Sequence, residues 1–337
     1  MVGDPVLEIK NLQTSFITDD GVIPVVNNID FSVGRKEIIG IVGESGCGKS
    51  VTSLSIMGLI PTNTGKVEGE ILFEGNNLVG ASEKKMRSIR GNDIAMIFQE
   101  PMTSLNPVFT IGEQLIESIK IHRKWPKKKA KEQAIQMLKK VGLPRAEQLI
   151  KEYPHQLSGG MRQRVMIAMA MICEPRLLIA DEPTTALDVT IQAQILDLMK
   201  QLNRETDTSI IMITHDLGVV AEMCQRIIVM YSGKIVEEAD VRTIFKQPKH
   251  PYTIGLIQSV PDMRVKKEQL YSIPGHVPKP GSIKEGCPFA PRCPHANDRC
   301  LTETPDLTVL ESGQKVRCWL YEDGKEGQIH DRTTLKN

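Results

Sequence analysis

Eight consecutive residues, Gly43-Glu44-Ser45-Gly46-Cys47-Gly48-Lys49-Ser50, match the pattern G-x-x-x-x-G-K-[ST] in full. Glycines at that spacing let the backbone wrap closely, so that successive N–H groups point at phosphate oxygens. A helix starting there adds its partial positive charge. Lys49 supplies a point charge for the β and γ phosphates of a nucleotide, and Ser50 a hydroxyl for Mg²⁺. A site of this kind also needs a carboxylate at the end of a neighbouring buried strand, and Leu177-Leu178-Ile179-Ala180 runs into Asp181 and Glu182. Asp181 then fits the Mg²⁺ shell, and Glu182, one residue further out, is placed to orient or polarise a water that attacks the γ phosphate. Alone, the first segment reads as a Gly-rich turn and the second as a strand running into solvent. Together they point to nucleotide hydrolysis.

A second chemical group is the cysteine series Cys287, Cys293, Cys300 and Cys318, spaced C-x5-C-x6-C-x17-C, with Pro288 and Pro294 directly after two of its members. Three readings compete. Plain packing suits the scattered Cys47, Cys173 and Cys224 better than four thiols in a short, proline-rich stretch. Structural zinc normally shows tight C-x2-4-C knuckles, which are missing, although His295 offers a substitute ligand. A [4Fe–4S] cluster takes four thiolates at looser spacing, and Cys-Pro is common beside such ligands. The expectation is iron–sulfur, with Zn²⁺ as the alternative, acting as a staple for a small module.

These groups need an α/β framework to position them. Apolar runs predict strands at residues 7–9, 29–33, 37–42, 70–73, 94–98, 177–180, 210–214 and 227–231. Helices are predicted between them, as at 49–58 and 191–204. Residues 111–173 read as almost wholly helical, broken near Pro126, at 142–144 and at 153–160. Proline then marks a boundary, since residues 236–337 hold ten of the twenty prolines in less than a third of the length. No internal repeat or low-complexity tract is present.

Composition narrows the class. A chain of 337 residues, 40% hydrophobic and 25% charged, is globular and long enough for roughly two folding units. Lys and Arg number 42 against 41 Asp and Glu, a net charge of +1, which argues against a strongly basic nucleic-acid-binding body. The start of the chain lacks a signal-like pattern, and the longest apolar run, Val165 to Cys173, is half a membrane span, so a cytosolic chain that does not cross the membrane is expected. Seven cysteines then serve as packing residues or metal ligands, not disulfides.

The discriminating segment is Leu157-Ser158-Gly159-Gly160-Met161-Arg162-Gln163-Arg164, which resembles the signature motif of ATP-binding cassette (ABC) ATPases. Companions follow across about 230 residues. Gln99 in Ile97-Phe98-Gln99 resembles the Q-loop glutamine, Thr185-Ala186-Leu187-Asp188 the D-loop, His215 the switch histidine, and Phe16 the aromatic that stacks on adenine. The resemblance implies a P-loop NTPase fold: a RecA-like core sheet, an antiparallel β subdomain and a helical subdomain, with a small Cys-rich C-terminal domain. It places the nucleotide-binding domain at 1–235, the helical insert at about 101–165 and the extension at 236–337.

It also implies an ATP contact set of Phe16, Gly43, Glu44, Ser45, Gly46, Cys47, Gly48, Lys49, Ser50, Val51, Gln99, Asp181 and His215. Mg²⁺ falls to Ser50, Gln99 and Asp181, and catalysis to Glu182, His215, Gln99 and Lys49. Ser158, Gly159, Gly160, Gln163 and Asp188 would complete the ATP site of a second subunit, since in this family the nucleotide is sandwiched between two chains. Soluble ABC proteins of repair and chromosome type separate the two motifs by hundreds of residues, whereas 107 lie between Ser50 and Ser158 here. Translation-type members carry two cassettes in one chain.

One cassette with a modest insert is the transporter layout. Residues 98–107, His250-Pro251-Tyr252-Thr253, Ile273-Pro274-Gly275 and the cysteine-rich tail are similar to importer ATPases for dipeptides and oligopeptides. The resemblance therefore implies a peptide importer's ATPase on the cytoplasmic side of the membrane. Its implied partners are a second ATPase subunit (a heterodimer, with a homodimer as alternative), two permease subunits and an extracytoplasmic binding protein. Nickel chelate or oligosaccharide import is the nearest alternative. The basic stretch from Lys120 to Lys131 is read as a solvated face of the insert, with no nucleic-acid partner.

Overall fold

Three short segments are buried at every position: β3 (Ile38–Val42), β7 (Leu177–Asp181) and β8 (Ser209–Ile213). Strands apolar on both faces belong at the centre of a parallel sheet covered on two sides. With β6 (Ile94–Ile97) and β9 (Arg226–Tyr231) they run parallel in the order β9-β3-β8-β7-β6. Alternation along each strand sends successive side chains into different cores. Ile38 and Val42 face the helical side, and Ile39 and Ile41 face the other. The computed structural model describes residues 4–19, 21–99, 105–184, 188–260, 271–283 and 285–322.

Against the second face lies an antiparallel sheet, ordered β2-β1-β4-β5, of β1 (Leu7–Thr18), β2 (Gly21–Val33), β4 (Gly65–Phe73) and β5 (Asn76–Asn77). The sequence predicts only the apolar ends of β1 and β2. Both strands run on into a hairpin closed at Thr18 and Gly21, where register shifts at Ile9/Leu12, Leu12/Thr14 and Thr14/Ser15 break the alternation that would have revealed it.

The insert between β6 and β7 is helical: Ile111–Arg123, Lys127–Lys140, Ala146–Leu149 and Gly159–Met171. Thr110 opens the first helix with a capping box to Glu113, and Pro126 opens the second, where the sequence predicts a break. Residues 101–104, the expected start of the insert, lie outside the described residues.

Beyond β9 the chain does not leave the sheet. Ser232 and Gly233, both at positive φ, turn it into β10 (Lys234–Asp240), so position 236 lies inside a strand. β12 (Lys315–Val316) pairs with β10, and β11 (Thr308–Val309) with β12, so the tail adds antiparallel strands to the sheet's edge. It inserts Tyr252 and Phe289 into the main core, and among the described residues Leu310, Val316 and Tyr321 form a small buried cluster of their own. The tail's anchor is Glu237, fully buried, which accepts from the N–H groups of Lys249 (2.7 Å) and His250 (2.9 Å) and from the Gln314 amide.

One close contact packs the middle of β3. Gly40 packs under the Leu217–Met223 helix, where an added Cβ would meet Val220 Cγ1 at 2.7 Å and Cys224 Sγ at 3.2 Å. Gly40→Ala is expected to cost about 1–3 kcal/mol, seen as a lower urea midpoint at unchanged slope.

Candidate nucleotide site

The loop from Gly43 to Gly48 joins β3 to the Lys49–Ile56 helix. Two of its glycines are required by space. A Cβ on Gly43 would lie 2.3 Å from the Met230 carbonyl oxygen, and Gly48, at φ +104, would put one 2.9 Å from that of Val25. Thus β9 and β2 clamp the loop from outside. Lys49 is buried, its ammonium donating to the carbonyls of Gly43 (2.7 Å) and Glu44 (3.1 Å). Cys47 points inward with its thiol 3.7 Å from Lys49 Nζ, and burial raises its pKa.

Register on β8 brings the other groups to the same edge. Ile213 pairs with Asp181 and with Ile41, so β3, β7 and β8 end together. Asp181 is buried and hydrogen-bonded to Ser50. Burial pushes its pKa up and the charge of Glu182 adds to this, while the Ser50 hydrogen bond and Lys49 pull it down. Its Oδ1 is buried without a partner. An orphaned carboxylate oxygen next to a serine hydroxyl is the donor set that Mg²⁺ satisfies, so the residues fit the ion.

Glu182 follows at φ +48. Its Oε2 accepts from Gln99 Nε2 at 2.9 Å and its Oε1 lies 3.0 Å from His215 Nδ1. Gln99, expected on Mg²⁺, is bonded to Glu182. Ser45, Gly46, Gly48, Lys49, Ser50, Val51, Gln99, Glu182 and His215 line one open cavity of about 200 Å³. Val25 also lines it, and the sequence offers no signal for Val25 because its place depends on the turn of β2 over the loop.

Other expected residues lie elsewhere. Phe16 is half-buried on β1, paired with Ile23 and Gly65, and is not among the cavity's lining residues. Ser158 caps the Gly159–Met171 helix by accepting from the Met161 N–H, and Gly160 packs toward Ile191. Neither lines the cavity, nor do Gly159 or Asp188, which caps the Val189–Glu205 helix. Gln163, expected to face a second chain, is 1% exposed and donates to the Pro183 carbonyl of its own chain. It ties the signature helix to the turn after Asp181. Residues 185–187 of the expected D-loop lie outside the described residues.

The four cysteines of the tail gather around one cavity of about 50 Å³ together with His295 and His250. Among the described residues, however, no group of three or more His, Cys, Asp or Glu side chains is arranged to hold a metal ion. Burial pushes Cys293 up to about 11 and Cys318 to about 12, and raises Cys287. These are the shifts that burial gives metal-free thiols, and the expected [4Fe–4S] or zinc ligand set is not assembled among the described residues.

Residues 26–185 match the family model "ABC transporter", and residues 236–300 match "Oligopeptide/dipeptide transporter, C-terminal region". The chain is 54% identical over 318 residues to an oligopeptide transport ATP-binding protein of Bacillus subtilis, covering 94% of this chain and 97% of the relative. It is 52% identical over 327 residues to a dipeptide transport ATP-binding protein of the same organism, covering 97% and 98%. A solved dimeric ATP-binding cassette, in a post-hydrolysis state with ADP and phosphate, superposes on 70% of the chain and 99% of its own with a TM-score of 0.62 at 29% identity.

A carboxylate whose pKa is raised by folding holds its proton above the pH at which the unfolded chain releases it. Its contribution to stability is therefore lost as pH rises from about 4. Asp181→Asn is expected to melt no lower than the wild type at pH 7 without nucleotide, and to lose the extra stabilisation by ATP that depends on Mg²⁺. Thermal melts with ATP, with and without Mg²⁺, measure both.

Proposed function

The chain belongs to the ABC transporter ATP-binding subunits of the oligopeptide and dipeptide transporter family, and on that premise we propose that it hydrolyses ATP to power the import of dipeptides or oligopeptides. The observation that carries the chemistry is the convergence of Lys49, Ser50, Glu182, Gln99 and His215 around one cavity at the edge of the sheet, with Asp181 hydrogen-bonded to Ser50 behind it. The observation that favours peptide cargo over nickel chelates or oligosaccharides is the match of residues 236–300 to the peptide-transporter extension, with relatives half identical over nearly the full chain.

The steps follow from the side chains. Lys49 exchanges its two loop carbonyls for the β and γ phosphates, and the amides from Ser45 to Gly48 hold the same oxygens. Ser50 and Asp181 would hold Mg²⁺, which when bound would supply charge neutralisation for the phosphoryl oxygens. Glu182 receives a proton from the attacking water. Gln99 and His215, each bonded to one of its oxygens, hold the carboxylate against rotation and bring the γ phosphate within their reach.

Ser158, Gly159 and Gly160 stand at a helix start and do not line this cavity, which suits an anion site offered to a second chain. The assembly proposed is therefore two ATPase subunits, a heterodimer or a homodimer, sandwiching ATP between them. They would dock on two permease subunits at the cytoplasmic face, with an extracytoplasmic binding protein delivering cargo. Among the described residues no helix is long and apolar enough to cross a membrane.

For the tail we propose a structural part. The support is the gathering of Cys287, Cys293, Cys300 and Cys318 round one cavity, where ionised thiols would seat a [4Fe–4S] cluster or zinc. Protein purified without oxygen is expected to hold about four irons per chain. Iron-free and zinc-free protein overturns this part alone.

Glu182→Gln is expected to bind ATP as the wild type does and to hydrolyse it about 100-fold or more slowly. Cells lacking the chain should lose uptake of labelled peptides but not of nickel or oligosaccharide, and regain it with the wild type but not with Glu182→Gln. Peptide uptake unaffected by the loss would refute the cargo assignment.

A further inference from the structure

The phosphate loop is held from behind by the tail. Glu44, its second residue, donates its backbone N–H to the Tyr252 hydroxyl at 2.7 Å. Its carboxylate is gripped by Arg292, with Nη1 at 2.8 Å from Oε2 and Nη2 at 3.1 Å from Oε1. Its carbonyl takes the third contact, from Lys49. Every polar group of Glu44 is thus engaged, two of them by residues far along the chain. Arg292 is buried and committed, donating also to the carbonyls of Pro274 (2.8 Å) and Ile273 (3.3 Å).

A paired, two-pronged guanidinium–carboxylate contact fixes direction as well as distance. Arg292 does so from a turn that carries two of the cysteines. Cys287 accepts from the Ala290 N–H and Ala290 from the Cys293 N–H, while Phe289 packs edge-on against Tyr231 at 5.2 Å and against Tyr252 at 5.5 Å. The cysteine-lined cavity and the phosphate loop are therefore joined through a single layer of aromatic rings and one ion pair.

We infer that Arg292 and Tyr252 are positioning residues for ATP: the tail sets the path of the phosphate loop through Glu44, so that nucleotide affinity depends on the fold of the cysteine-bearing turn. This rests on the ATPase reading above. Without the brace, the N–H and carboxylate of Glu44 lose their partners and the loop's first turn is free to leave the geometry in which its amides converge. Loss then falls on nucleotide binding, because Glu182, Gln99 and His215 are held by separate contacts.

The test is equilibrium binding of MgATP to the full-length chain by calorimetry, with steady-state hydrolysis alongside. Arg292→Ala and Glu44→Gln should each raise Kd and KM about tenfold, with kcat within about twofold. The double variant should bind no more weakly than the weaker single one, since both remove the same contact. Arg292→Lys and Tyr252→Phe, which keep the packing, should fall between these and the wild type. A wild-type Kd in Arg292→Lys and Tyr252→Phe would overturn the inference, as would strictly additive losses in the double variant. So would a lowered melting midpoint in Arg292→Ala at unchanged Kd, which would make the arginine a stabiliser of the fold only. A wild-type chain that binds no MgATP would refute the ATPase reading itself, and the inference with it.

Discussion

Everything at the nucleotide site depends on the hydrogen-bonded register of three parallel strands. Because Ile213 of β8 stands opposite both Ile41 of β3 and Asp181 of β7, the three chains leave the sheet at one level. The residues that follow, Gly43 to Ser50, Glu182 and His215, are delivered to one crevice. Ligands of open α/β sheets bind at this carboxyl edge for that reason. A slip of one residue in β7 would send Asp181 to the opposite face, since side chains alternate.

That register is secured by burial on both faces. The apolar residues of β3, β7 and β8 divide between two cores, one shared with the helical insert and one with the antiparallel sheet. The site accordingly sits between layers that can move only by repacking. Its charges are costly in this setting. Asp181 is buried with an unpartnered oxygen, and Lys49 is turned back onto carbonyls of its own loop. Binding of Mg²⁺ and phosphate gives both groups opposite charge, so part of the binding energy comes from relieving an unfavourable resting arrangement.

The tail packs into the same sheet and core. Its strands extend the sheet beyond β10, its aromatic residues enter the main core, and Glu237 accepts hydrogen bonds from residues 249, 250 and 314. His250, fully buried and pushed down to about 3, stays neutral and accepts the Tyr252 N–H that starts the next helix. Residues on both sides of the change in composition thus contribute to one sheet and one core.

The phosphate loop, the acidic strand end, the signature helix start and the ordered glutamine and histidine were all legible in the sequence. Each is a short contiguous pattern whose chemistry follows from residue type and spacing. The parallel strands were legible too, because burial on both faces makes them apolar throughout. Only the tertiary structure decided that Val25 and not Phe16 lines the cavity, that Gln163 turns inward to Pro183, and that the cysteine-bearing turn reaches back to Glu44. Those outcomes rest on pairings between residues tens to hundreds of positions apart, set by bulges, close backbone approaches and core packing. None of these leaves a local trace, because the free energy that selects them arises only when the distant segments meet.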